Sequence, residues 1–140
     1  MYFTNIDMDT ALKWIKNNPK LKMTKHEHFF KWKEHLLKSK LDYFYWEGSD
    51  HWSAAVEGDD IVAIYYYNIA RGNMYDGFLV SDKIGAGIKL DRWQYQYTKD
   101  KYDWKLNWTM AAESHVKYNQ RLGYRTVSRA VDGYRYMVRK

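Results

Sequence analysis

Two glycines, Gly85 and Gly87, separate an apolar run that ends at Val80 from a segment with helical spacing. Small residues let the backbone approach a phosphate closely, and the free amides of a helix N-terminus carry partial positive charge. Lys83 could add a point charge beside them. The stretch is therefore a candidate phosphate cradle. A plain strand-to-helix turn remains the alternative, because a Gly-x-Gly pattern alone is a weak signal.

A helix is predicted directly after these glycines. Ala86, Leu90, Trp93 and Tyr97 follow one another at spacings of four, three and four residues, which places them on one helical face. The preceding run over 74–80 is a strand candidate. The glycines therefore occupy a junction between a strand and a helix.

The other elements are predicted from periodicity, capping residues and turns. In chain order, the sequence predicts a strand over 1–6, a helix from Asp7 or Asp9 to about 17, a helix over 24–39, strands over 41–46, 52–56, 61–69 and 74–80, the helix after the glycines, a strand over 104–110, a helix over 114–122, and strands over 124–131 and 134–138. Hairpin turns are expected at 57–60 and 132–133. Ser114 can cap the helix over 114–122, and Gly123 is placed to end it as a left-handed residue. This order predicts a single α+β domain over residues 1–140.

The strand over 104–110 has two different faces. Trp104, Leu106, Trp108 and Met110 share one parity, and polar residues take the other parity. Since successive side chains of a strand point to opposite faces, we expect the apolar set to be the buried one.

Composition limits the chemistry. The chain has no cysteine, which excludes disulfides, thiolate nucleophiles and cysteine-based zinc sites. Its 46% hydrophobic content with one proline is typical of a globular domain of 140 residues. No run of about 18 apolar residues and no basic start followed by an apolar block occurs, so we expect a soluble cytoplasmic protein without a membrane partner.

The histidines do not form a predicted metal site. His26 and His28 are followed by His35, but the metalloprotease pattern needs histidines four apart on a helix, and the residue four after His26 is Phe30. His28 and His35 are two helical turns apart. We therefore expect no metal.

The formal net charge of +6 permits attraction to nucleic acid, to an acidic cofactor or to an anionic surface. Four arginines lie in the last hairpin: Arg125, Arg129, Arg135 and Arg139. A two-residue turn at Asp132-Gly133 would divide them between two faces, which favours ordinary solvation over one phosphate-binding stripe. Nucleic acid is a weakly supported partner.

The order of elements, with a Gly-x-Gly junction after the central strand and a helix ending in Leu-Gly-aromatic before a closing hairpin, resembles the GNAT family of acyl-CoA-dependent N-acyltransferases. The family loop has the pattern Arg/Gln-x-x-Gly-x-Gly/Ala, and the matching segment is 82–87. The resemblance implies a mixed, splayed sheet with about four helices. It also implies acetyl-CoA or another acyl-CoA as co-substrate and a primary amine as acceptor, either a small molecule or a protein.

In the family, the backbone of this loop holds the pyrophosphate of coenzyme A. Carried over to this chain, the implied cofactor-binding residues are Leu79, Val80, Lys83, Ile84, Gly85, Ala86, Gly87, Ile88 and Asn119. Asp82 stands where the family has arginine or glutamine, and a carboxylate close to a pyrophosphate would repel it.

The segment 112–124 is similar to the family's fourth helix, Asn-x-x-x-x-x-Leu-Tyr-x-Lys-Leu-Gly-Phe. The family's tyrosine, which protonates the departing thiolate, corresponds to Asn119, and the family's first asparagine corresponds to Ala112. The tyrosine of this chain lies one place earlier, at Tyr118. A shift of one residue turns a helical side chain by about 100°, so Tyr118 faces either the core or the site.

Acyl transfer needs a neutral amine, and hence a carboxylate or histidine within reach of it. On the strand before the glycines the candidate base is Asp76, with a surface charge as the alternative; Glu57 fits a solvated turn residue. If this strand is splayed from its neighbour over 106–110, the amide of Leu79 or Val80 would meet the thioester oxygen.

The runs FLVSDK, DKYDW, ESHVKYNQRLGY and VDGYRYMV resemble a narrower group, the small GNAT-like proteins of short-tailed bacteriophages. Some of these are internal virion or assembly proteins in which the catalytic signature is eroded. The alternative function is therefore a catalytically degenerate virion, assembly or host-interaction protein. Its partner would be a phage or host protein.

Overall fold

A computed structural model describes residues 1–18, 49–129 and 133–140. Its elements are β1 (Tyr2–Ile6), α1 (Met8–Asn17), β2 (Ser49–Glu57), β3 (Asp60–Ala70), β4 (Asn73–Ser81), α2 (Ala86–Tyr102), β5 (Leu106–Ala112), a 3-10 turn (Glu113–His115), α3 (Val116–Arg121), β6 (Arg125–Thr126) and β7 (Tyr134–Arg139). The predicted helix over 24–39 and strand over 41–46, with all three histidines discussed above, lie outside the described residues.

The described strands form one sheet in the order β1-β2-β3-β4-β5-β7-β6. Every neighbouring pair is antiparallel except β4 and β5, which are parallel. The predicted α+β class with a mixed sheet is therefore confirmed. No helix within the described ranges is both long and apolar enough to cross a membrane.

The two long helices begin by different means. Asp7 caps α1, since its side chain accepts a hydrogen bond from the Thr10 amide at 2.7 Å. Helix α2 begins at Gly85, which has a φ of 85° and offers no side chain as a cap. Only a residue without Cβ adopts this left-handed conformation at no steric cost. The predicted junction at the glycines is thus confirmed.

The sheet has a core on each face. On one face α1 supplies Ala11 and Ile15, which pack with Ile64, Tyr66 and other strand residues. On the other face, Ala86 and Leu90 of α2 pack with Tyr65 and with small residues of β2 and β3. Strand β3 reads as a nearly continuous apolar run because it is buried on both faces.

The prediction for β5 is wrong about which face is more buried. Asn107 and Thr109 are buried beneath α2, whereas Leu106, Trp108 and Met110 are half-buried on the α1 side. The reason is a polar cluster: Asn107 donates to the Asp76 carboxylate at 2.9 Å and Thr109 donates to the Asp76 carbonyl at 2.6 Å. Polar residues are buried where they find such partners.

The closing hairpin also differs from its prediction. Arg125 pairs with Val138, whereas a two-residue turn at 132–133 would pair it with Lys140. Strand pairing ends at Thr126, and the Ser128 hydroxyl then accepts the Tyr136 amide at 3.0 Å. This side-chain bond replaces a ladder bond. The predicted turn residue Asp132 is outside the described residues.

A gap opens between β4 and β5. The two strands pair only from Asn73–Asp76 to Leu106–Thr109. A register shift against β3 then leaves Gly77 without a partner, and beyond it β4 stays with β3 while β5 stays with β7. A bulge bends a strand and ends its pairing. The expected splay is present, and it opens toward the end of β4 that leads into α2.

Candidate functional site

The N-terminus of α2 presents free backbone amides. The Ala86 amide donates to the Lys83 carbonyl at 3.1 Å, and the Lys89 amide donates to the Gly85 carbonyl at 3.2 Å. The amides of Gly87 and Ile88, between them, have no acceptor among the described residues. A Cβ placed on Gly85 would meet nothing within 4 Å. The backbone of the loop is therefore open at Gly85, next to these amides, and free amides at a helix N-terminus attract an anion.

Three parts of the chain meet at Gly87. A Cβ on Gly87 would lie 3.4 Å from the Ser81 Cβ, 3.5 Å from the Tyr118 hydroxyl oxygen and 3.7 Å from a methyl carbon of Leu79. The structure thus brings the end of β4, the first turn of α2 and a side chain of α3 to one place. Leu79, Gly87 and Tyr118 were predicted from the sequence as site residues.

Ser81 was not predicted. Its hydroxyl donates to the Lys83 carbonyl at 2.6 Å and accepts from the Lys83 amide at 3.3 Å, which holds the loop between β4 and α2 in shape. A serine at the last position of a strand before a glycine loop is a local signal for such a turn. Sequence reasoning could have used it.

The hydroxyl of Tyr118 reaches the first turn of α2. Tyr118 is half-buried, and burial together with the nearby charge of Asp91 raises the pKa of its hydroxyl. The Asn119 carbonyl accepts from the amides of Leu122 and Tyr124, so Asn119 helps to end α3. The N-cap of α3 is His115 and not the predicted Ser114. Gly123 follows it with a φ of 99°, as predicted.

The backbone amides of Leu79 and Val80 were the two candidates for the gap between β4 and β5, and the amide of Leu79 faces it. The Asp82 amide donates to the Val62 carbonyl of β3 at 2.8 Å. Since hydrogen-bonded pairs alternate along an antiparallel ladder, Val80 also directs its amide at β3, and Leu79 directs its amide to the opposite side.

The charged residues of the loop point away from the cradle. Asp82 lies on the α1 face and lines a cleft of about 620 Å³ with Trp14, Asp59 and Asp60. Lys83 is ion-paired with Glu57, and this pair lowers the pKa of the Glu57 carboxyl. Ile84 is fully exposed at the loop tip. The expected repulsion between Asp82 and a bound phosphate therefore does not follow from this geometry.

Asp76 is 3% exposed and lies under α2, so the surface-charge alternative is wrong. One carboxylate oxygen accepts from Gln94 at 3.1 Å, and the other accepts from Asn107, Tyr124 and Arg139. Burial raises the pKa of Asp76 to about 6. The Asp91 charge acts in the same direction, and Arg139 and the donors oppose it. Asp76 is enclosed by donors and does not line the gap.

The raised pKa of Asp76 predicts a pH dependence of stability. A carboxyl whose pKa is higher in the folded state contributes stability that is complete below pH 4 and is lost as the pH rises through 6. The loss amounts to about 3 kcal/mol for a shift of this size. Urea unfolding between pH 4 and 7 should show it in the wild type and not in Asp76→Asn. Equal slopes in both proteins would contradict this assignment.

An apolar cavity of about 430 Å³ lies on the α1 face, below the point where β4 and β5 part. Its aromatic walls include Tyr75, Trp108 and Tyr136, and its described lining contains no charged residue. The described residues contain no cluster of three histidine, aspartate or glutamate side chains that could hold a metal ion.

No family model matches the sequence, and no curated protein matches it. Solved structures, in contrast, match this chain. An acyl-CoA N-acyltransferase from Pseudomonas aeruginosa superposes with a TM-score of 0.67 at 14% identity, covering 99% of each chain. Campylobacter jejuni N-acetyltransferase PseH in complex with acetyl coenzyme A gives 0.63 at 16%, covering 99% of this chain and 97% of that one. A Bacillus subtilis acetyltransferase in complex with CoA gives 0.61 at 12%, covering 97% and 95%. The shared property is the fold.

Proposed function

We propose that this chain, which has the GNAT fold, binds an acyl-CoA, in the simplest case acetyl-CoA, and transfers the acyl group to a primary amine. The observation that carries the proposal is that the uncapped N-terminus of α2 adjoins the open end of the gap between β4 and β5. Two solved structures of similar fold contain CoA or acetyl coenzyme A.

The pyrophosphate of the substrate binds at the first turn of α2. The free amides of Gly87 and Ile88 donate to it, and Gly85 and Ala86 bring the backbone close because neither carries a large side chain. Lys83 and Ile84 border the loop at its exposed side. The anion is favoured there by the helix dipole as well as by the two amides.

The thioester reaches the gap between the strands. The Leu79 amide, which faces away from β3, donates to the thioester oxygen and stabilises the negative charge that forms on it during attack. Val80 supports the strand from the other side, since its side chain packs in the α1-face core.

Tyr118 is the proton donor. A tyrosine hydroxyl is protonated at neutral pH, burial raises the pKa of this one further, and its oxygen lies beside Gly87. As the amine nitrogen bonds to the carbonyl carbon and the carbon–sulfur bond breaks, Tyr118 gives its proton to the sulfur. The proton released by the amine returns to the tyrosinate through water. Asn119 contributes through the backbone that positions Tyr118.

Asp76 acts indirectly in this proposal. Both of its oxygens already accept hydrogen bonds, and it lies beneath α2, so an amine does not reach it. Its role is to hold the strands and helix around the gap. The amine enters the reaction in its neutral form.

Calorimetry with acetyl-CoA tests the proposal directly. We expect micromolar binding by the wild-type protein, and release of free thiol when a panel of primary amines is added. Absence of binding at millimolar acetyl-CoA would refute the proposal.

The position of Asp82 leads to a separate prediction. Because its carboxylate lies on the α1 face, away from the free amides, Asp82→Arg should leave the Kd for acetyl-CoA within about twofold of the wild type at 0.15 M salt. Titration calorimetry of both proteins measures this. A tenfold gain in affinity would mean that side chain 82 reaches the phosphates.

A second candidate function is a protein with this fold that has lost catalysis and acts in a phage virion, in its assembly, or on a host protein in the host cytoplasm. The enclosure of Asp76 favours it, because this leaves the expected base without access to an amine. It predicts no turnover with any amine, with or without CoA binding. Recovery of a protein partner together with the intact protein from infected cells would indicate protein binding. In a parallel test, retention of the protein on DNA that is lost at high salt would indicate nucleic-acid binding instead.

A further inference from the structure

A buried ionic cluster lies between α2 and the sheet. It consists of Arg139, Asp91, Asp76, Asn107 and Tyr124, and we call it the Arg139 cluster. Arg139 is 8% exposed, although the last hairpin was expected to solvate its arginines, and Asp91 is 2% exposed. Charges at such depth need partners on every side.

The guanidinium of Arg139 has partners for all its nitrogens. Two of them bind the two oxygens of Asp91 at 2.8 and 2.7 Å, a fork-to-fork contact. The Nε donates to the Asn107 side-chain oxygen at 2.6 Å, and Nη1 also donates to the Leu122 carbonyl at 2.7 Å. The rings of Tyr95 and Tyr124 lie 5.0 and 4.2 Å from its central carbon. Lysine cannot reproduce this planar arrangement.

These contacts reach each element that forms the candidate site. Asp91 belongs to α2, four residues after Gly87, and it also accepts from Tyr65 of β3 at 3.0 Å. Leu122 ends α3, which carries Tyr118. Asn107 is on β5, which forms one wall of the gap.

Strand β4, which forms the other wall of the gap, is linked to Arg139 through Asp76. Nη2 of Arg139 lies 3.4 Å from its carboxylate. Asp76 is the last residue of β4 that pairs with β5, and Gly77 follows without a partner. The cluster therefore lies where the two strands part, at the base of the gap.

We infer that Arg139 is a positioning residue: from β7 it sets the spacing among the first turns of α2, the end of α3 and the two walls of the gap. One side chain thereby fixes the distance between the phosphate-binding amides, the Leu79 amide and Tyr118. The link to acyl-CoA rests on the proposed function. The link to the order of α2 rests on the contacts alone.

The test compares Arg139→Lys and Arg139→Met with Ile15→Ala. Ile15 is buried on the α1 side of the sheet, so its truncation lowers stability without touching the cluster. Hydrogen exchange is measured for the amides of residues 89–92, and the Kd for acetyl-CoA by calorimetry. We expect Arg139→Lys to speed hydrogen exchange at residues 89–92 at least tenfold and to raise the Kd for acetyl-CoA at least tenfold. The exchange rates of the amides in β1 and β2 should not change.

If Arg139→Met does not fold, Arg139→Lys alone decides, since it keeps the charge. The inference would be overturned if Arg139→Lys changes hydrogen exchange at residues 89–92 and the Kd for acetyl-CoA no more than Ile15→Ala does. If the wild type itself does not bind acetyl-CoA, the proposed function fails, and the exchange rates still confirm or reject the positioning of α2.

Discussion

Gly85→Trp is expected to abolish measurable acetyl-CoA binding, a loss of at least 100-fold in affinity, while the protein remains folded. The space around Gly85 is open, so an indole meets no protein atom at its base, but it fills the approach to the Gly87 and Ile88 amides. The φ of 85° costs a residue with a Cβ about 1–3 kcal/mol. Calorimetry gives the affinity, and thermal unfolding gives the stability.

Gly72→Trp is the matched control. Gly72 also has a positive φ, 76°, and open space around it, but it lies in the turn between β3 and β4, at the opposite end of β4 from the cradle. This variant bears the same kind of backbone strain and should bind acetyl-CoA as the wild type does. Equal affinities for Gly85→Trp and Gly72→Trp would show that the glycine junction is only a turn.

Tyr118→Phe is expected to lower kcat about 100-fold, since a positioned general acid contributes 10²-fold or more. Only the hydroxyl beside Gly87 is removed and the ring remains in α3, so the Kd for acetyl-CoA should not change. Steady-state kinetics with a reactive amine and calorimetry with acetyl-CoA separate the two effects. A change in Kd without a change in kcat would assign Tyr118 to binding instead.

Asn119→Ala provides the comparison for Tyr118→Phe. Asn119 occupies the position at which the GNAT pattern has its tyrosine, but in the structure its backbone carbonyl accepts from the amides of Leu122 and Tyr124. Alanine keeps that carbonyl, so kcat should fall less than threefold. If Asn119→Ala lowers kcat more than Tyr118→Phe does, the proton-donor role would belong to position 119, where the GNAT pattern has its tyrosine.

Local signals were sufficient for much of the fold. The cap of α1 was predicted at Asp7 or Asp9 and lies at Asp7. The turn between Glu57 and Asp60, the helix start at Gly85 and the left-handed Gly123 were also predicted and are present. Each depends on the preferences of a few consecutive residues, such as a side-chain oxygen for free amides or a glycine for a positive φ. The α+β class then follows from the order of the elements.

Contacts between distant segments decided the rest. The sequence left Asp76 as either a candidate base or a surface charge, predicted a solvated Arg139, and gave Asn107 the exposed face of its strand, yet all three are buried in one cluster. Asp76 and Arg139 are separated by 63 positions in the sequence, and no local pattern pairs them. Their burial becomes favourable only once α2 covers the sheet and each charge finds its partners.

The sequence by itself determined most of the helices and strands in the described ranges and the glycine junction at which α2 begins, because backbone preferences act over a few residues. Only the tertiary structure decided that β4 and β5 separate after Asp76, that Leu79 rather than Val80 directs its amide into the opening, and that Asp82 faces away from it. These outcomes depend on strand register, and a bulge of one residue reverses the faces of everything beyond it.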